Sequence, residues 1–163
     1  MSQFSIFQNI DENPDELIEH DLYNHKNFLI NKKQVQEILK RCNIDYPIGN
    51  LDLYQRAFIH KSYIVKEECV KIVENTVGAI ELQPKSYERL EFLGDSILGA
   101  IVVTYLFRRF FDQNEGTMTK YKARLVSKNA LSSFARMLNF GPYLVISKQI
   151  EENDGRQNIN ILE

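Results

Sequence analysis

The sequence has no tryptophan, only two cysteines, four prolines and seven glycines among 163 residues. Cys42 and Cys69 lie far apart and form no CxxC pair, so they read as free thiols in a reducing compartment. A cytoplasmic setting is therefore expected, with a nuclear or viral one left open. Scarce glycine leans the chain towards helix. No apolar run reaches membrane-spanning length, so no membrane partner is expected. The start, MSQFSIFQNIDEN, has neither the basic residues nor the apolar run of a signal peptide. No repeat or low-complexity tract is present. The net charge is only −2, so bulk charge gives no sign of a polyanionic partner. What remains is an apolar content of 44% with 26% charged residues, enough for one domain with a real core.

Charge is unevenly spread. Residues 1–30 hold six acids and one lysine, and Asn13-Pro14 breaks them, so they read as a loose acidic extension or a docking arm. Residues 117–148 hold six bases (Lys120, Lys122, Arg124, Lys128, Arg136 and Lys148) and no acid. Such a strip can meet a polyanion or can simply be a solvated helix face.

The longest apolar-rich stretch runs from Tyr87 to Phe111, YERLEFLGDSILGAIVVTYLFRRFF. It carries Glu88, Glu91 and Asp95 at i, i+3 and i+7. On a helix these fall within about 60° of one another. Leu98, Gly99, Val102 and Leu106 continue that face, so the acids head an apolar stripe. Exposed like charges at this spacing cost roughly 0.2–0.5 kcal/mol per pair, and desolvation costs more. A divalent cation is the partner that hard carboxylate oxygens suit best. Glu88 and Glu91 would equally serve as ordinary first-turn acids behind an N-cap at Ser86. Asp95 is harder to explain that way, because Asp and the preceding Gly94 are both poor helix formers two turns in.

The rest of the chain predicts further helices. One runs from Lys33 to Cys42 on Val35, Ile38 and Leu39. Another runs through LDLYQRAFIHKSY, with Leu53, Ala57 and His60 inward. Residues 64–86 read as an insertion, a helix and loop or a short hairpin. A helix from Thr117 carries Met118, Tyr121 and Leu125. One capped by Asn129 carries Leu131, Phe134, Ala135 and Leu138. Gly141-Pro142 is a stop, Tyr143–Ile150 is a short apolar segment, and Asn153-Asp154-Gly155 is a turn. Asn160-Ile161-Leu162-Glu163 looks like the opening of another helix.

The string ERLEFLGDSILG, Glu88 to Gly99, resembles the signature of the ribonuclease III family, endonucleases that cut double-stranded RNA. Ala57–Tyr63, AFIHKSY, is similar to the family's upstream helix. Glu115-Gly116, twenty positions after Asp95, resembles its acidic-Gly turn. Arg124–Leu131, RLVSKNAL, with Ala135, Leu138, Gly141 and Tyr143-Leu144, resembles its next two helices. The likeness covers roughly residues 33–163. It implies an all-α endonuclease domain over 31–163, incomplete at its C-terminus, that works as a homodimer on double-stranded RNA. It also implies hydrolysis with Mg²⁺, Mn²⁺ being an alternative ion, and no organic cofactor. Products would carry 5′-phosphate and 3′-hydroxyl ends.

By motif position, Glu91 resembles the metal-ligand glutamate and Asp95 the catalytic aspartate, itself a ligand. Glu88 and Glu115 resemble the outer acids of the catalytic valley. Phe92 resembles the side chain that plugs into the partner subunit, although by itself it reads as core. Lys120, Arg124 and Lys128 are the expected RNA contacts. His60 reads as a hydrogen-bonded core histidine rather than a catalyst.

The family's second acidic motif, an Asp and a Glu three residues later, would begin one position after Glu163, which is no convincing substitute. The expectation is therefore a piece of a longer nuclease, binding metal weakly and cutting poorly on its own. Tyr87 stands where the family often has Asn. A non-catalytic module for dimerisation or for holding structured RNA is the alternative reading. Retention of four costly acids argues against it. A carboxylate-bridged helical metal protein would need a Glu-x-x-His pair, and none is present.

Overall fold

A computed structural model describes residues 22–65 and 78–163. Seven α-helices are described: α1 Lys32–Arg41, α2 Leu51–Arg56, α3 Glu88–Arg109, α4 Glu115–Leu125, α5 Lys128–Met137, α6 Lys148–Glu152 and α7 Ile159–Leu162. Three-residue 3-10 turns stand at Lys61–Tyr63, Gly141–Tyr143 and Gly155–Gln157. Among the described residues there are only isolated β-bridges, so the fold is all-α as expected.

Short polar side chains set the helix ends. Asn31 caps α1 with a full capping box: its Oδ1 accepts from Gln34 N at 3.0 Å, while Gln34 Oε1 accepts from Asn31 N at 2.8 Å. The far ends of α1 and α5 share one device. Asn43 and Asn139 both take φ 57°, and the paired Schellman bonds follow, Ile44 N to Leu39 O and Phe140 N to Ala135 O, each 2.9 Å. Asparagine thus does the work usually given to glycine. It also stops α5 early: the helix ends at Met137, and Asn139 stands two residues before the stop expected at Gly141-Pro142.

Three caps differ from the sequence reading. Helix α3 begins after Tyr87, which makes no side-chain cap, while Ser86 Oγ donates to the Glu88 carboxylate at 3.1 Å and accepts from Glu88 N at 3.5 Å. Helix α4 begins two residues early because Asn114 accepts from Thr117 N at 2.9 Å. Ser127, not Asn129, caps α5 through Ala130 N. Helix α2 is also shorter than expected: it ends at Arg56, leaving Leu53 and Ala57 exposed rather than inward.

The core is threaded by Tyr143–Ser147, every residue of which is buried. Tyr143 joins Ile30, Val35, Ile38 and Ile48; Leu144 and Ile146 join Ala135 and Leu162; Val145 joins Ile59 and Tyr63. A parallel bridge fixes this segment, with Val145 N donating to Phe58 O at 2.9 Å and His60 N to Val145 O at 3.0 Å.

The described part of the acidic extension, residues 22–30, is not loose. Asn24 and Asn27 are buried and donate to Ile146 O at 3.2 and 2.8 Å. Arg156 holds the same region together. Its Nε donates to Glu151 at 2.6 Å, its Nη1 to the carbonyls of Gly141, Pro142 and Leu144, and its Nη2 to Asn27 Oδ1. The suggestion of a helix or hairpin within the insertion falls mainly on residues outside those described. Its ends are tied together by Val65 N to Gln83 O, 3.0 Å, and by Tyr63 Oη to Ile80 O, 2.7 Å.

Helix α3 packs against α4 and buries only Leu106 fully, with Leu98, Gly99 and Val102 half-buried on the same stripe. Its other faces stay apolar yet exposed: Phe92 80%, Phe107 70%, Ile101 61% and Tyr105 58%. An 18-residue window of α3 has mean hydropathy 1.6, so by length and composition this helix could cross a membrane. This corrects the sequence reading that no run is long enough: α3 reaches the length once Glu91 and Asp95 are counted within it.

Candidate active site: an acidic cleft

The start of α3 is pinned to the body. Tyr87 N donates to Ile59 O at 2.9 Å, and Arg56 Nε donates to Ser86 O at 2.9 Å. The first two turns then overhang a cleft of about 500 Å³ between α3 and the body. Its floor is apolar, with Ile38, Phe58, Leu131 and Leu144 among the walls. Glu91, Asp95, Tyr87, Asn160 and Glu163 bring polar groups to it.

Of the four acids expected in the site, Glu91 and Asp95 share this cleft. Glu88 does not line it; that side chain is half-exposed, 3.7 Å from Lys61 Nζ. Glu115 does not line it. That side chain begins α4, accepts from Thr119 Oγ1 at 2.8 Å, and borders a separate hollow with Val103, Leu106 and Phe107. Glu163, discounted on sequence, does line the cleft. No local signal marks it, because its neighbours Glu91 and Asp95 are about seventy positions away in the chain.

Burial raises the Glu91 carboxyl above its ordinary range. The negative charges of Asp95, Glu163 and Glu88 raise it further, in that order, and Lys61 opposes them. The Tyr87 phenol is pushed up to about 12, first by burial and then by Glu91, Glu88 and Glu163. It is a hydrogen-bond donor at any physiological pH. His60 is half-buried against the Tyr87 ring, 5.8 Å between centroids. Burial lowers its pKa, Lys61 lowers it further, and Glu88 opposes. Its Nδ1 accepts from Ser62 N at 3.1 Å and caps the 3-10 turn, in keeping with a core role.

The donor set, carboxylates alone on one helix face, suits a hard divalent ion. Among the described residues, no three His, Cys, Asp or Glu side chains converge closely enough to hold a metal as they stand. Of the expected RNA contacts, Lys120 and Arg124 are exposed on α4 and form no ion pair among the described residues. Lys128 is engaged: its Nζ lies 2.7 Å from Glu163 Oε1 and 3.3 Å from Asn160 Oδ1. Phe92 stands 80% exposed beside the acids.

A sequence model of the family described as ribonuclease-III-like matches residues 50–163, which include α3 and the whole acidic cleft rim. The chain belongs to the ribonuclease III family. It is 33% identical over 144 residues to a probable ribonuclease 3 of Acanthamoeba polyphaga mimivirus, covering 86% of this chain and 27% of that protein. It is 35% identical over 131 residues to ribonuclease 3 of Borreliella burgdorferi, covering 80% and 47%. This ribonuclease III chain therefore spans about a quarter of the viral relative and about half of the bacterial one.

The nuclease domain of ribonuclease III from Campylobacter jejuni superposes with a TM-score of 0.62 at 30% identity, covering 81% of this chain and 74% of that one. A second structure of that domain, described for flexibility in a region involved in dimer formation, gives 0.61 at 27%, covering 78% and 76%. The all-α fold and the family expected from ERLEFLGDSILG both stand.

Proposed function

We propose that this chain is the catalytic part of an endoribonuclease that hydrolyses phosphodiester bonds of double-stranded RNA with a divalent cation, Mg²⁺ or Mn²⁺. The observation that carries the reading is the pairing of Glu91 and Asp95 on one wall of a cleft. There, burial and then the Asp95 charge raise the Glu91 carboxyl above its ordinary range, so the ionised Glu91 is held at a cost. A cation relieves that cost.

Glu91 and Asp95 would hold the ion. When bound, the ion supplies an activated water and charge stabilisation on the leaving oxygen. Tyr87, protonated throughout, can donate a hydrogen bond to a phosphate oxygen at the cleft. Lys120 and Arg124 give α4 a cationic face for phosphates, and duplex RNA is read largely through its shape and backbone. Phe92 and the exposed rows of α3 suit a second copy of the chain, making a homodimer. Products would carry 5′-phosphate and 3′-hydroxyl ends.

The test is cleavage of an end-labelled long RNA duplex by the natural protein with Mg²⁺, beside Asp95→Ala. The expected result is endonucleolytic cutting that the substitution lowers by about 100-fold or more. Duplex binding without cutting by either form would instead favour a non-catalytic duplex-holding module.

A further inference from the structure

The 3-10 turn at Lys61–Tyr63 is tied to the body through its neighbours. His60 N donates to Val145 O at 3.0 Å, and Ser147 N donates to Ser62 Oγ at 3.0 Å. Tyr63 is fully buried, and its Oη donates to Ile80 O at 2.7 Å. The next residue along the joint, Tyr87, donates from N to Ile59 O at 2.9 Å, which sets the turn beside the start of α3. Lys61 is the residue of the turn that faces outward, with its side chain 65% exposed. A fixed backbone thus carries a free cationic tip.

That tip stands over Glu88, but loosely: Nζ to Oε1 is 3.7 Å, too long for a hydrogen bond. The other carboxylate oxygen, Oε2, accepts from the buried Ser86 Oγ at 3.1 Å. The acid is therefore held while the ammonium keeps its three donors unspent. A pair this exposed contributes little, so leaving it costs little. The setting gives the ammonium something to do. Glu91, Asp95 and Glu163 line the cleft, and a polyanion approaching it meets their repulsion. Lys61 is a cation whose charge reaches Glu91 and opposes those acids. Lys128, by contrast, is held 2.7 Å from Glu163.

We propose that Lys61 is a substrate-binding residue: when duplex RNA docks, its ammonium leaves Glu88 and takes a backbone phosphate beside the acidic cleft. The exchange replaces a loose ion pair by a charge-assisted hydrogen bond. It fixes the backbone of the duplex at the acids without reading its sequence. The proposal rests on the reading of the cleft as the place that meets duplex RNA, and adds to it a phosphate contact away from α4.

The test is fluorescence anisotropy of a labelled RNA duplex across a salt series, without divalent cation, on the natural protein, Lys61→Met, Lys61→Arg and Lys148→Met. Lys61→Met is expected to weaken duplex binding by about three- to tenfold at low salt. It should also lower the slope of log affinity against log salt by about one, the loss of a single phosphate contact. Lys61→Arg should keep both near those of the natural protein, because a guanidinium also binds phosphate. Lys148 is the control: it stands in a similarly loose pair, 3.9 Å from Glu152 on α6, and Lys148→Met should leave the slope unchanged.

An unchanged slope for Lys61→Met would overturn the proposal. So would an equal loss in Lys148→Met, which would mark a general effect of net charge, or a loss that Lys61→Arg fails to restore. Mn²⁺ calorimetry without RNA supplies the second arm. Lys61→Met should bind Mn²⁺ as tightly as the natural protein or up to about threefold more tightly, since a positive charge has gone. Weaker Mn²⁺ binding would mean that Lys61 serves the acids rather than the RNA, and would also overturn it. The two failures are distinct: a natural protein that binds no duplex sinks the functional reading and Lys61 with it, whereas duplex binding indifferent to Lys61 removes this residue alone.

Discussion

Glu91 carries the clearest energetic signature of any single residue here. Its carboxyl is raised by burial first and by Asp95, Glu163 and Glu88 after it. The folded value lies above the unfolded one, so the folded state binds more protons in that window. Stability from this group is therefore present at low pH and falls as pH rises through the unfolded and then the folded value. At neutral pH the ionised Glu91 is a cost to the fold. Glu91→Gln is expected to raise the melting temperature at pH 7 without added metal, with the gain disappearing well below pH 4. A thermal scan at both pH values checks this, and a lower melting temperature for the variant at pH 7 would contradict it. Under the proposed cation position, binding would displace that proton, so Mn²⁺ affinity should also weaken as pH falls into the raised Glu91 range.

Among the elements, α3 has two jobs that compete for surface. One stripe, from Glu91 and Asp95 to Leu106, faces the cleft and the body. Its remaining faces expose Phe92, Ile97, Ile101, Tyr105 and Phe107, more large apolar side chains than a lone helix on a monomer ordinarily shows. Were a second copy to cover them, burying one phenylalanine would contribute roughly 1.5–3 kcal/mol. Phe92→Asp should then raise the dimer dissociation constant at least about tenfold in sedimentation equilibrium. Its circular dichroism should be unchanged, because the side chain touches little of its own subunit. An unaltered association constant would remove Phe92 from the interface.

For the whole molecule, stability hangs on the joint between residues 22–30 and the 141–156 region. The Arg156 side chain is 16% exposed, and it bonds three carbonyls, Asn27 and Glu151. Burial pushes Glu151 up, but hydrogen bonds from Asn24 and Arg156, with Lys26 adding to them, more than offset it and leave it below the ordinary range. Arg156→Ala should cost about 1.5–3 kcal/mol in urea unfolding, because the carbonyls of Gly141, Pro142 and Leu144 lose their donor and Glu151 is left with only Asn24 and Lys26. Lys26→Ala should cost at most about 1 kcal/mol, since Lys26 is 73% exposed in its pair with the same Glu151. Equal effects of the two would mean that the joint is not centred on Arg156. Glycine matters in the same joint: a Cβ at Gly155 would lie 2.6 Å from Ile150 O and against Ile150 Cγ2.

By itself the sequence determined the helical class, the extent of α3 to within a residue or two, and the common face of Glu91 and Asp95. The last two follow from local periodicity and spacing, while the all-α class was implied by the family resemblance, towards which scarce glycine already leaned. The family too was legible, because twelve consecutive residues carry its signature. Only the tertiary structure decided that Glu115 borders a different hollow, that Glu163 joins the cleft, and that Lys128 is spent on Glu163. It also made Tyr143–Ser147 the spine of the core and tied residues 22–30 to it. Each of these joins residues tens of positions apart. Periodicity says which way a side chain faces on its own helix, but which other element meets that face is set by packing between elements.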